Sequence, residues 1–240
     1  MKRSLIAVTV FALAAVPLAS VAGATPTSLS GLSGAQIVQV TTKAALAQHA
    51  MTRKVSANLL GVTLNSTVTT TLSGGVAFGS VQGHKIETVY LNGVAYVRLD
   101  KAAAAIYFGS KGAKLANKWI SFTKNHTGYA DFSQGMTLPA MCKILSPGGA
   151  LTVTGPSTVD GQQVLAVAGD LTGQTSSTQG TATLYVSTLA PFLPVKLVMF
   201  SPLTGTSTLL ETIVFKNWGL GTTVVRPSVF TPSWKTAIGT

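Results

Sequence analysis

From Lys54 to Leu99 the chain alternates polar and apolar residues with a period of two, and short turn signals cut the alternation at strand-length intervals. Val55, Ala57 and Leu59 stand against Lys54, Ser56 and Asn58, and after Gly61 the stretch 62–72 repeats the pattern with threonines on its polar side. Ser73-Gly74-Gly75, Gln82-Gly83 and Asn92-Gly93 then separate segments at 76–81, 85–91 and 94–99. A period of two sends successive side chains to opposite faces, so these segments read as half-buried strands. Connections this short join antiparallel neighbours, and Asn-Gly is the dipeptide that two-residue hairpins favour. The outcome is a meander with one apolar face, which the rest of the chain has to cover.

The flanking stretches supply the cover. After a flexible lead at 25–32, Ser33 is placed to cap a helix that runs to about Gln48 with Ile37, Val38, Ala44, Ala45 and Leu46 as its apolar stripe. Asp100 caps a short helix over 102–108, Gly109 ends it, and 111–117 offers a further helical turn. Residues 118–122 return to extended chain, 123–135 read as loop, and 136–145 form an apolar helix stopped by Ser146-Pro-Gly-Gly149. Strands resume at 151–154, 164–168, 180–186, 194–200 and 206–215, with a turn at Asp160-Gly161. The expectation is an α+β fold in a single domain over 33–240: an antiparallel sheet interrupted midway by helices.

The first residues set a location. Lys2 and Arg3 precede an apolar run at 5–16 and small residues at Ala22-Gly23-Ala24, the layout of a signal peptide over 1–24 cleaved after Ala24. The run is shorter than the roughly 20 apolar residues a membrane span needs. The expected location is the secreted or cell-wall/periplasmic space. With no cysteine near the cleavage point, a lipobox attachment is not expected.

Charge and residue supply narrow the chemistry. Of 17 basic residues, Lys2 and Arg3 sit in the leader, leaving 15 against 6 acidic ones and a net charge of +9. The basic residues, Arg53 among them, are scattered, with no run and no interleaved aromatic platform. They read as a solvated surface that could meet an anionic membrane, and nucleic acid is not an expected partner. The few carboxylates are partly used by the cap at Asp100 and the turn at Asp160. No HExxH, no His/Cys cluster, no phosphate-cradling glycine loop and no G-x-S-x-G elbow occurs. Cys142, the only cysteine, lies in an apolar helix and reads as a buried small hydrophobe. Neither catalysis nor a metal or cofactor is expected.

The order of several short motifs carries a resemblance. Val89-Tyr-Leu-Asn-Gly-Val-Ala-Tyr-Val97 is followed by an Ala-rich helix and Leu115-Ala-Asn-Lys-Trp-Ile-Ser121. Then come Val159-Asp-Gly-Gln-Gln-Val-Leu165, Thr183-Leu-Tyr-Val186, Leu193-Pro-Val-Lys-Leu197 and Phe215-Lys-Asn-Trp-Gly219. This order resembles the actinobacterial LppX/LprAFG-type lipoproteins, which share the half-barrel architecture of the periplasmic lipoprotein carriers (LolA-like). The resemblance implies a strongly curved antiparallel sheet, a half-barrel, with helices covering the concave side and a cavity that holds the acyl chains of lipids or lipoglycans. The missing lipobox cysteine departs from the family and points to a freely diffusing carrier.

The residues expected to line the cavity are Val55, Leu59, Val68, Phe78, Val89, Leu91 and Val97 on the meander, with Ile106, Phe108, Leu138, Met141 and Leu145 on the helical plug. Alternating apolar residues equally fill a solid core. Trp119 and Trp218 read as packing anchors, and Tyr90 and Tyr96 as facing away from the cavity. The alternative function on the same scaffold is a protein-interaction or sensory module with an envelope protein as partner and no lipid transport.

Overall fold

Capping and turn chemistry place the elements in the computed structural model, which describes residues 26–59, 61–171, 180–202 and 208–228. The leader, and the cleavage expected after Ala24, lie outside the described residues. Ser33 opens α1 (Gly34–Leu46) with a reciprocal cap: its hydroxyl accepts from the Gln36 amide, and the Gln36 side chain accepts from the Ser33 amide. The first meander follows as β1 (Ala50–Leu59), β2 (Val62–Thr71), β3 (Gly74–Val81), β4 (His84–Leu91) and β5 (Val94–Leu99). Its β4–β5 turn puts Asn92 at φ 52° and Gly93 at φ 78°, the paired left-handed geometry that Asn-Gly tolerates.

Asp100 caps α2 (Lys101–Phe108) as expected, its Oδ1 accepting from the Ala103 amide at 2.7 Å. A 3-10 segment (Gly109–Leu115) and the short β6 (Ile120–Phe122) complete that edge. Two further helices, α3 (Tyr129–Ser133) and α4 (Leu138–Ile144), lead into the second meander. Its strands are β7 (Gly148–Val159), β8 (Gln162–Asp170), β9 (Thr181–Ser187), β10 (Pro194–Pro202) and β11 (Thr208–Lys216).

Among the described residues, eleven strands form one antiparallel sheet in the order β6-β5-β4-β3-β2-β1-β11-β10-β9-β8-β7. The sheet is open, a curved half-barrel of α+β class. The first meander walks outward from β1 and the second walks inward to β11, so the strands nearest the two chain ends pair at its centre. The outer edges are blunted: β6 has three residues, and β7 breaks register twice against β8.

Three local readings differ from the sequence. β1 starts at Ala50, ahead of the expected 54, because Met51 and Arg53 continue the inward parity of Val55. The expected loop at 123–135 contains α3, a single helical turn anchored by the buried ring of Phe132 and too short to leave a periodic signal. α4 is shorter than the expected 136–145, because Thr137 takes the N-cap.

Candidate functional site

Cross-strand pairing fixes which side chains share a face. Val55 pairs with Ser66 and with Ile213, Val68 with Ala77, and Val97 with Thr88, so Val55, Val68, Val97 and Ile213 lie on one face of the sheet. On this inner face two apolar clusters form. The larger joins Val55, Val68, Leu184, Leu197 and Ile213 to Ile37 and Val38 of α1 and to Leu138 and Met141 of α4. The smaller joins Ala95, Val97 and Leu99 to Ala103 and Ala104 of α2, Phe122 of β6 and Phe132 of α3. Tyr90 packs against both clusters.

The expected lining residues therefore divide. Val55, Val68, Leu138, Met141 and Leu145 sit in the larger cluster, Val97 belongs to the smaller, and Phe108 packs on it with its ring 6.3 Å from that of Phe122. Phe78, Val89 and Leu91 do not share the face of the others. Phe78 pairs with Thr67 and Glu87, and Val89 with Val76 and Tyr96, so they point to the outer side. The two-residue turn at Leu72-Ser73, ahead of Gly74 and Gly75 in β3, sets that parity, which the alternation within one strand cannot reveal.

Phe78 is 57% exposed there, whereas Val89 is only 7% exposed. The chain after β11 crosses this outer face, with Arg226 over the Tyr96 ring at 5.4 Å and Val224 beside Gly74. Tyr96 thus faces outward as expected, but Tyr90 faces inward. Ile106 of α2 is 52% exposed. Leu59 is in β1, and its side chain lies outside the described residues.

The residue the sequence did not single out is Arg53. It is 6% exposed on the inner face, and its Nη1 has no hydrogen-bond partner. Burial pulls the guanidinium down from its ordinary value to about 10, against the attraction of Glu211. Glu211, half-buried on β11, is raised by desolvation and lowered by Arg53. Above Arg53 runs the α3–α4 connection. A side-chain carbon on Gly135, which holds φ 63°, would sit 3.1 Å from Arg53 Nη2, and one on Gly75 would run into the Met136 carbonyl. Two bare glycines thus let this connection lie flat on the sheet.

In the next row of the inner face stands Thr70, fully buried with an unpartnered Oγ1. Tyr90 lies beyond it in the same row, its hydroxyl 3.2 Å from that of Tyr129. Desolvation, helped by that bond, pushes Tyr129 up to about 12. The signal for Arg53 was in the sequence: it occupies the odd, inward parity of Met51, Val55 and Ala57.

No family model and no curated protein matches the sequence. Among solved structures, the fold is similar to a LolA superfamily protein from Nitrosomonas europaea, at 8% identity and TM-score 0.31, covering 78% of this chain and 93% of that one. A DUF1329 family protein from Desulfovibrio piger is similar at 10% identity and TM-score 0.31, covering 78% of this chain and 95% of that one. Likeness at this level assigns neither ligand nor activity.

Other surfaces offer less. On the outer face the rows Lys54–Thr67–Phe78 and Ser56–Asn65–Ser80 wall an open groove of about 300 Å³, floored at Val55, Ser66 and Gly79. It is open to solvent, and polar and apolar side chains share its lining. Cys142 is buried, and burial pushes its thiol up to about 12, the opposite of an activated nucleophile. Among the described residues no group of His, Cys, Asp or Glu could hold a metal, and no helix is long and apolar enough to cross a membrane.

Proposed function

We propose that this protein binds and carries the acyl chain of a lipid or lipoglycan between the inner face of its half-barrel and the helices that cover it. It does so without catalysis, after release from its leader, in the space outside the cytoplasm. The observation that carries the reading is the nature of the cover. An open apolar sheet is closed by separate short helices, and α3 and α4 have five and seven residues. Helices of that length have no stability of their own and are held by the face they cover. An alkyl chain offers that face an equivalent surface, at about 0.8 kcal/mol per buried methylene. The division of the inner face into two clusters gives the chain a seam to enter, beside Tyr90.

Native mass spectrometry of protein isolated from its own host should detect a bound lipid, and the delipidated protein should take up a fluorescent fatty acid. Isolation as apo protein, together with no uptake, would reject the proposal. The interaction-module alternative has one observation in its favour, the exposed Phe78 in the outer groove. Loss of an envelope-protein cross-link on Phe78→Ser, with lipid uptake absent, would establish it instead.

A further inference from the structure

Arg53 stands between Met51 and Val55 on the inner face of β1, nearly fully buried, with Nη1 unpartnered. Because Arg53 pairs with Val68, Thr70 is its diagonal neighbour on β2, and the Thr70 Oγ1 is likewise buried and unpartnered. Diagonal neighbours on one face lie about 7–8 Å apart at Cα, within an arginine's reach. Glu211 is felt by Arg53 only at a distance, as a charge that attracts it without forming an ion pair. Buried polar groups are almost always hydrogen-bonded, and an unpaired interior charge is costly. A buried guanidinium nitrogen and a buried hydroxyl at diagonal positions of one face, neither with a partner, suit an anionic ligand group, which accepts from both.

We infer that Arg53 and Thr70 receive the acidic group, a carboxylate or a phosphate, of the bound amphiphile. Its oxygens accept from the guanidinium and the threonine hydroxyl beside the Gly135–Met136 connection, and its chain runs along the inner face past Leu64 and Ala77, which are partly buried there. The inference rests on lipid binding as proposed above and adds the head-group class.

The test compares ligands of equal chain length, namely palmitate, hexadecyl phosphate and hexadecanol, and adds inorganic phosphate alone, by titration calorimetry on the delipidated full-length mature protein. Wild type should bind the two acids about tenfold or more tighter than the alcohol. Arg53→Met should abolish that preference while leaving hexadecanol affinity within about twofold, and Thr70→Val should narrow it by less. Equal binding of acids and alcohol by wild type, a comparison that needs no variant, overturns the head-group inference and leaves lipid carriage standing. Binding of inorganic phosphate that is lost in Arg53→Met, with no amphiphile bound, supports the anion site, makes its source a free anion and overturns lipid carriage. Binding of none of the four overturns both.

Discussion

Replacing Arg53 by methionine should make this protein more stable. A guanidinium held near 10 in the folded chain, well below the ordinary arginine value, is destabilised in place by roughly 3 kcal/mol at neutral pH. The sign follows from linkage: a cation whose folded value is depressed binds its proton less tightly than in the unfolded chain, and that cost is fully present below the folded value. Methionine keeps the apolar stem and removes the charge and the unpartnered Nη1. The void left by the missing fork returns about 1 kcal/mol of the gain.

The net expectation is a stabilisation of about 2 kcal/mol, or about 4–8 °C in Tm for a domain of this size. Urea unfolding followed by the fluorescence of Trp119 and Trp218 reads it directly, as a raised midpoint at unchanged slope. Glu211 adds a pH signature. Its carboxyl is already raised by burial, and without Arg53 it rises further, so its cost at neutral pH grows and fades as the pH falls. The gain should therefore be larger at pH 5 than at pH 8. A midpoint that falls on Arg53→Met would show that the guanidinium is satisfied in the native protein, and would refute the reasoning.

Asp100→Ala should cost about 1 kcal/mol at neutral pH by removing the α2 cap. The Ala103 amide, foremost, depresses the Asp100 carboxyl, so that stability is present above the ordinary carboxylate range and is lost as the pH falls through the folded value; the two proteins' urea midpoints should converge in acid. Gly75→Ala should cost about 1–3 kcal/mol, because the new methyl meets the Met136 carbonyl. Hydrogen exchange should show the amides of 135–137 losing protection in this variant ahead of the sheet. Cys142 should not react with a disulfide reagent at pH 8 until the protein is unfolded, whereupon one thiol per chain should be counted. Leu138→Ala should cost about 2–5 kcal/mol, whereas Phe78→Ser on the exposed side should change stability by under about 0.5 kcal/mol.

The local elements were legible in the sequence because local chemistry decides them. Ser33 and Asp100 cap where a side-chain oxygen can reach orphan amides, and Asn92-Gly93 turns where two left-handed residues are needed. The assignment of faces was less legible. Each strand alternates within itself, but the parity carried from β2 through β3 to β4 depends on how the turns count residues. Thus the alternation groups Phe78, Val89 and Leu91 with Val55, whereas pairing sends them to the opposite side. Val89 is buried there, on the face where the tail at 224–226 crosses its neighbour Tyr96 and Gly74, a long-range arrangement without local trace. Arg53 was hidden by its chemistry: an arginine at a strand start reads as surface, and its parity with Met51 and Val55 outweighs that only once β1 is known to begin at Ala50.

The pairing of β1 with β11 has a consequence for how the molecule is made. The first meander and the second are each built from hairpins of neighbouring segments, but the central seam joins residues from opposite ends of the chain. Contacts of such sequence separation form late and slow folding, because the loop entropy must be lost before they form. Until Thr208–Lys216 has been synthesised, β1 presents an open row of amides and carbonyls, an edge that invites pairing with any other extended chain. A nascent or truncated form lacking the last strand should accordingly be a ready substrate for holding chaperones, and the arrival of the last strand is the event that commits the chain to its native topology.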